Sequence, residues 1–366
     1  MLFGAGVSIV DLTVAPLSIP LREPFVIASG RMDATRAALV RATLEDDRGR
    51  RATGLGESAA LPPVTREDQP DLLRLIAAAA TGLRGAVLAG AAELDRLLAE
   101  QFPTSAVARA GVESAILDAA ARLRGVPLWC ALGGAGAPSL VTDITLSISD
   151  PERMAAAATR HARDGFTCFK VKVGRDWRAD CASLRAVAAA LPDARFRLDA
   201  NAGFAAREAL ALLDTALADR LTIECFEQPC AADDLAGMAE VTARASVPVV
   251  ADESFRGPAD LDRLLAARAV SAVNLKLAKL GGPLAALALG RRARAEGLGL
   301  MAGAMVETRI GLLAMAHVVA ALGGVDWVDL DTAFLLADDP FTGGWRVEGP
   351  RVQLTDEPGL GVDSRA

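Results

Sequence analysis

The chain is 366 residues long, 52% hydrophobic and 23% charged, a balance that excludes a disordered protein and describes one with a substantial core. At this length a single core has stopped growing, so two domains, or one barrel with an appended domain, are expected. A net charge of −7 and a pI near 5.1 speak against a nucleic-acid partner, and no stretch reaches the roughly 20 uncharged apolar residues of a membrane span.

Met1-Leu2-Phe3-Gly4 opens without the basic segment and apolar run of a signal peptide. The five cysteines (Cys130, Cys168, Cys181, Cys225 and Cys230) are odd in number and lack zinc-type spacing, which predicts free thiols in a reducing cytoplasm. Residues 1–60 read as short strands, at 7–14, at 36–44 and around Gly54-Leu55-Gly56-Glu57. Between the first two, Pro20 to Phe25 and Ala28-Ser29-Gly30-Arg31 carry two prolines and a glycine and predict a loop. Thr65-Arg66-Glu67-Asp68 opens a helix, and residues 72–100 keep helix-period apolar positions broken near Gly82 and Gly90. Ser105 starts another helix through Leu123, stopped by Gly125 and Pro127. This first part is α+β.

From about residue 140 the pattern becomes a repeat. Short β-prone runs recur at 144–148, 168–173, 195–199, 222–227, 247–252, 272–276, 299–302 and 327–331, with helical patterns rich in Ala, Leu and Arg between them. Lys172, Asp199, Glu227, Asp252 and Lys276 stand near the ends of consecutive runs, spaced by 27, 28, 25 and 24 residues. Each spacing suits one strand-plus-helix unit, given eight units in about 250 residues for a (β/α) barrel. Eight strands without a Gly-rich phosphate fingerprint favour a closed barrel over an open sheet. Residues 340–366, with strand candidates flanking Gly349-Pro350, predict a hairpin and a tail that packs back on the first domain.

Lys170 and Lys172 are two residues apart in an apolar β-prone run, so both side chains fall on one face of a strand. Burial and like charge both disfavour protonation, which predicts a lysine titrating below the usual value of about 10.4. Such an amine suits proton abstraction from carbon. Asp199, Glu227 and Asp252 end three neighbouring strands, which lie about 4.8 Å apart, so the three carboxylates can meet at one point. With no Cys or His beside them they describe a site for Mg²⁺, with Mn²⁺ tolerated. Lys172 precedes the trio and Lys276 follows it, on opposite sides of anything bound there. Proton removal from one face of a carbon α to a carboxylate, and return from the other, would pass through an enediolate stabilised by the cation. Lys170 is the accessory charge that keeps the working lysine partly neutral.

Phe169-Lys170-Val171-Lys172-Val173-Gly174, Arg197-Leu198-Asp199-Ala200-Asn201, Phe226-Glu227-Gln228-Pro229, Ala251-Asp252-Glu253-Ser254 and Asn274-Leu275-Lys276-Leu277-Ala278-Lys279-Leu280-Gly281-Gly282 together resemble the enolase superfamily, muconate-lactonizing-enzyme subgroup. The resemblance covers nearly the whole chain. It implies an α/β fold, a (β/α)7β TIM-like barrel over residues 131–335, with an α+β capping domain over 1–130 completed by a returning segment, 336–366. It implies Asp199, Glu227 and Asp252 as Mg²⁺ ligands, Lys172 and Lys276 as the acid/base pair, and Asn201, Gln228, Glu253 and Ser254 beside the ligands. The only histidines, His161 and His317, lie in helical patterns and read as structural, which speaks against the mandelate-racemase branch.

Asp329-Leu330-Asp331 ends the eighth run with two acids on one face, suited to a cationic group. This resembles the dipeptide epimerases, which bind the dipeptide's free α-ammonium there. Gly303-Ala304-Met305-Val306-Glu307-Thr308 is similar to the loop those enzymes hold against the substrate. In the segment from Phe25 to Arg31, Gly30 stands where Ala-Glu epimerases carry an arginine, which leaves Arg31 or Arg22 to reach the pocket and puts acidic dipeptides in doubt. The implied activity is Mg-dependent inversion of the α-carbon of a dipeptide's C-terminal residue. The alternatives are a muconate cycloisomerase, o-succinylbenzoate synthase or N-succinylamino acid racemase of the same subgroup, or a non-catalytic metal-dependent binding protein for small acids. By analogy with such barrels the chain is expected to form a homo-oligomer.

Overall fold

β1 (Ser8–Leu17) and β4 (Arg36–Glu45) bury one face more than the other, while β5 (Arg51–Ala60) is buried on both faces from Gly54 onward. They pair antiparallel in the order β1-β4-β5. The computed structural model describes every residue except 1, 2, 4, 5, 28, 29, 63, 137, 138 and 366. Ala28 and Ser29, read as loop, lie outside the described residues. The rest of that segment is not the loop its prolines suggested: β2 (Pro20–Ile27) and β3 (Gly30–Ala34) form an antiparallel hairpin. It is a two-stranded ribbon whose pairing shifts between Pro20 and Phe25, so the prolines remove no ladder bond from a central strand.

Three helices cover the sheet: α1 (Gln69–Leu83), α2 (Ala91–Gln101) and α3 (Ala106–Arg124). Asp68 caps α1 and Ser105 caps α3, whose end is turned by Gly125 in the left-handed region at φ 68°. Helix α3 lies directly on β5. A Cβ on Gly56 would stand 2.0 Å from the Gly111 carbonyl oxygen, and one on Gly54 2.2 Å from that of Ala115. Only glycine lets the helix come that close.

After α4 (Leu128–Ala131) and β6 (Ser139–Val141), eight parallel strands run in sequence order: β7 (Ile144–Leu146), β8 (Cys168–Lys172), β9 (Arg195–Asp199), β10 (Thr222–Glu227), β11 (Val249–Ala251), β12 (Ala272–Leu275), β13 (Gly299–Gly303) and β14 (Trp327–Asp329). A parallel bridge from Thr142 to Val328 joins the last strand to the first and closes the barrel. Between strands lie α5 (Pro151–Arg163), α6 (Trp177–Ala190), α7 (Ala206–Ala218), α8 (Leu235–Arg244), α9 (Pro258–Ala267), the short α10 (Leu277–Leu280), α11 (Pro283–Ala295) and α12 (Arg309–Leu322), and α13 (Thr332–Leu335) follows β14. The barrel's lower interior holds an apolar layer of Cys225, Val250, Ala272 and Met301 against Trp327.

Four short strands complete the chain: β15 (Phe341–Gly343), β16 (Trp345–Glu348), β17 (Arg351–Leu354) and β18 (Val362–Ser364). β16 and β17 form a hairpin across Gly349-Pro350, and β17 pairs with β6. The tail returns to α3, where the Leu360 N–H donates to Asp118 (2.7 Å) and Arg122 donates to the Val362 carbonyl (2.5 Å). All five cysteines are free, His317 accepts from the Trp129 N–H at 3.0 Å inside the core, and His161 stacks edge-on against Phe166. Among the described residues, no helix is long and apolar enough to cross a membrane.

Because a methyl on Gly56 meets backbone rather than a flexible side chain, Gly56→Ala is expected to destabilise the protein by about 1–3 kcal/mol. A thermal melt that does not fall by several degrees contradicts this account of the helix–sheet contact.

Candidate active site

Strand pairing sets Lys172, Asp199 and Glu227 side by side, since Lys172 is opposite Asp199 and Asp199 opposite Glu227. Asp252 follows β11, and Gln228 holds it there. The Gln228 side-chain oxygen accepts from the Asp252 N–H (2.9 Å) and the Ser254 N–H (3.0 Å), while its amide donates to Ser254 Oγ (2.6 Å). Asn201 bridges the turns after β9 and β11. Its N–H donates to Asp199 and its side chain to Glu253 (3.2 Å). Asn274, on β12, donates to Glu227 at 2.8 Å.

Four buried lysines interleave with these acids. Lys170 Nζ lies 2.6 Å from Asp329, 2.7 Å from Glu227 and 3.0 Å from Asp199. Lys172 Nζ is 2.6 Å from Asp199, and Lys276 Nζ is 2.9 Å from Asp252. Lys279 bonds both the side chain and the carbonyl of Asp252. Burial alone would push the Asp199 and Asp252 carboxyls up, but the facing lysines hold both well below the usual carboxylate range. Glu227 is raised, by burial and by Asp199 beside it.

The lysine expected to titrate low corrects the other way. Burial would lower Lys170 and Lys276, yet the carboxylates around each raise both. The expectation weighed Lys170 against its neighbour Lys172 and not against acids contributed from across the barrel. The lysine that burial does lower is Lys279.

Lys172 and Lys276 face one narrow cavity, lined also by Lys170, Asn201, Asp252, Glu253, Asp329, Asp331, Ala304, Met305, Val306 and Phe25. β8 and β12 are the second and sixth of eight strands, so the two amines reach the cavity from opposite walls. Phe25 of the β2–β3 hairpin covers it, its ring centred 5.6 Å from Lys172 Nζ. Gly303 lies under the wall, where a Cβ would come 2.7 Å from Asn274 and 3.0 Å from Lys276. Arg31 is not brought to this cavity: it is exposed and pairs with Asp33 at 2.8 Å. Arg22 donates to the Leu336 carbonyl (2.8 Å), and both arginines line an adjoining groove.

Donors from three adjacent strand ends, all carboxylate oxygens, fit a hard divalent cation. Glu227 Oε2 supports that fit: it is buried and makes no hydrogen bond, its contact with Lys170 being an ion pair of poor alignment. The tightest trio of acids among the described residues is a different one. Asp143, Asp329 and Asp331 bring carboxylate oxygens within 4.8 Å of one another. Asp331 is raised to about 6 by burial and by Asp329. Sequence reading missed Asp143, Asn274 and Lys279 as site residues. Asn274 and Lys279 sit within the Lys276 motif, two residues before and three after it, whereas Asp143 carries no local signal.

Two buried acids of the first domain fasten the loop and helices beside the cavity. Glu57 of β5 accepts from the Thr308 N–H (3.0 Å) and Oγ1 (2.5 Å) and from the Gly311 N–H (3.1 Å), at the start of α12. Glu113 of α3 accepts from the Leu284 N–H (2.7 Å) at the start of α11. Glu307, which accepts from the Met305 N–H at 3.0 Å, is pushed up to about 8 by burial and by Glu57, against the pull of Lys276.

Residues 153–366 match the family model described as Enolase C-terminal domain-like, and residues 9–133 match that of the mandelate racemase / muconate lactonizing enzyme N-terminal domain. An L-Ala-D/L-amino acid epimerase of Populus trichocarpa is 37% identical over 355 residues, covering 94% of this chain and 82% of the relative. A substrate-liganded L-Ala-D/L-Glu epimerase from Bacillus subtilis superposes with a TM-score of 0.93 at 32% identity, covering 98% of this chain and 99% of that one. The dipeptide epimerase from Enterococcus faecalis V583, complexed with Mg and L-Leu-L-Tyr, does so with a TM-score of 0.89 at 31% identity, covering 97% and 99%.

The raised Glu307 carboxyl contributes stability that is complete below its unfolded value of 4.5 and is lost as pH rises through about 8. Glu307→Gln stays neutral, so the wild type is expected to lose stability relative to it across that window, by at most about 1.4 kcal/mol per pH unit. Denaturant midpoints that run parallel from pH 5 to 8.5 contradict the assignment.

Proposed function

The chain belongs to the mandelate racemase / muconate lactonizing enzyme family of the enolase superfamily, and from that membership we propose that it is a dipeptide epimerase. It inverts the α-carbon of a dipeptide's C-terminal residue by 1,1-proton transfer. One observation carries the reading: two lysines from opposed strands flank a single cavity, and each is paired with one of three buried carboxylates at neighbouring strand ends. Relatives named as dipeptide epimerases, one of them solved with Mg and L-Leu-L-Tyr, support it. Residues 1–130 are the capping domain, 131–335 the barrel and 336–366 the returning segment.

Asp199, Glu227 and Asp252 are the residues that would hold a Mg²⁺ ion, with Asn201, Gln228, Glu253 and Ser254 fixing their orientation. A divalent cation there supplies charge to offset what develops on a substrate carboxylate as its α-proton leaves. Lys172 takes or returns the proton on one face of the α-carbon, and Lys276 does so on the other. One lysine begins neutral and the other protonated, so each turnover exchanges their states, and proton exchange with water restores them before the next turnover in the same direction. Lys170, bonded to Asp199, Glu227 and Asp329, orients the acids and keeps positive charge beside the reacting carboxylate. Asp329 and Asp331 receive the free α-ammonium, which distinguishes this chain from cycloisomerases and succinylamino-acid racemases, whose substrates offer no such cation.

Phe25, Leu61, Val64, Met305 and Val306 form an apolar roof over the substrate. No arginine joins them, which supports an apolar second side chain, as in L-Ala-L-Leu or L-Ala-L-Phe.

Incubating L-Ala-L-Xaa dipeptides with the enzyme and Mg²⁺ in D₂O is expected to give α-deuteration at the second residue, fastest for apolar Xaa. Absence of exchange on every dipeptide defeats the reading, and preference for L-Ala-L-Glu defeats the apolar roof. Lys172→Ala and Lys276→Ala should each lower epimerisation by at least about 100-fold. Each variant should still exchange the α-proton of the one diastereomer that the remaining lysine faces. Full turnover by either variant refutes the two-base assignment.

A further inference from the structure

Below Asp329 and Asp331 the barrel holds an acid that the proposed chemistry does not use. Asp143 immediately precedes β7 and is fully buried, and the Thr142–Val328 bridge that closes the barrel brings it against the end of β14. Its Oδ2 takes a hydrogen bond from Arg197 at 2.8 Å. Its Oδ1 has no hydrogen-bond partner, although Asp143 lies with Asp329 and Asp331 in the one trio of described acids whose oxygens all fall within 4.8 Å.

The charges around this trio do not balance within the protein. Arg197 divides its guanidinium between Asp143 and Glu224 (2.8 Å). Lys170 reaches Asp329 but also serves Asp199 and Glu227. Asp331 accepts only the neutral Thr145 N–H (2.5 Å). By direct contact the three acids share fractions of two cations, and Asp329 and Asp331 face the substrate cavity. Buried carboxylates in that state recruit a cation or a proton, and with no cation bound, burial and Asp329 push Asp143 well above the usual carboxylate range.

We propose that Asp143 is the third acid of a cation receptacle formed with Asp329 and Asp331, and that the group received is the primary ammonium of the substrate rather than a second metal ion. The proposal rests on the epimerase reading for the identity of that substrate. Asp143 acts as a positioning residue: it does not line the cavity, and it works by adding field beneath the two acids that do. An ammonium is favoured over a divalent ion because the Lys170 ammonium already touches Asp329, and its charge repels a divalent cation there more than a singly charged one. A primary ammonium needs only three acceptors.

The test compares wild type, Asp143→Asn and the charge-keeping Asp143→Glu on L-Ala-L-Phe and its N-acetylated analogue, by calorimetric binding and by α-deuteration with Mg²⁺ present. Asp143→Asn is expected to weaken binding and raise KM for the free amine at least tenfold and to change the N-acetylated analogue less than twofold. Asp143→Glu should recover most of that discrimination. Equal losses on both ligands, or none on either, overturn the proposal. If Asp143→Asn does not fold, the discrimination between the two ligands by Asp143→Glu decides. Mn²⁺ titration followed by electron paramagnetic resonance adds the metal arm: a second bound ion per chain that disappears in Asp143→Asn overturns the ammonium assignment. Should the wild type bind the free amine in an Asp143-dependent way yet exchange no α-proton, the receptacle stands and the epimerase reading falls.

Discussion

Charge neutralisation at the mouth of the barrel is the constraint that the other features serve. Lys170, Lys172, Lys276 and Lys279 are buried among Asp199, Glu227, Asp252 and Asp329, and the two sets bond one another from six strands and the segments that follow them. Any one of these groups left unpaired would cost several kcal/mol. The cluster therefore exists only when the barrel is closed and in register. Lys170 makes the point best, because its Asp329 partner lies on β14, which reaches it only through the closing bridge between Thr142 and Val328.

The first domain is held to this centre by the same kind of group used differently. Glu57 and Glu113 carry carboxyls across the domain junction into the starts of α12 and α11, where backbone N–H groups await acceptors. Both are nevertheless raised, Glu113 to about 7, because burial outweighs the hydrogen bonds they receive. The junction thus combines strong directionality with a carboxyl easily neutralised. Glycine makes that approach possible: without Gly54, Gly56 and Gly111, α3 would stand off from β5 and Glu113 would not reach the barrel.

The eight strand runs were legible because a barrel strand buries both faces and ends on a polar residue, a pattern that recurs at a nearly constant interval. The motif residues at those ends were legible for the same reason. What sequence could not convey was anything fixed by closure. Asp143 meets Asp329 across 186 residues of chain, and neither neighbourhood carries a mark of the other. The direction of the lysine shifts failed likewise, since adjacency suggested repulsion between Lys170 and Lys172 while the nearest charges come from other strands. The β2–β3 hairpin was hidden by Pro20 and Pro24, which suit an isolated ribbon although they would break a central strand.

That hairpin also explains how selectivity can vary while the chemistry stays fixed. Every charged group that lines the cavity comes from the barrel, anchored by pairs that tolerate little change. The roof is of mixed origin: Phe25 from the hairpin, Leu61 and Val64 from the turn after β5, and Met305 and Val306 from the β13–α12 loop of the barrel, which Glu57 fastens. None of these apolar side chains neutralises a buried charge, so exchanging one alters the shape offered to a side chain without disturbing the ion-pair cluster beneath. Moving an arginine by one place along a strand turns it to the opposite face. In this chain Arg31 bonds Asp33 on the outside, and the space above the lysines is left to apolar contact.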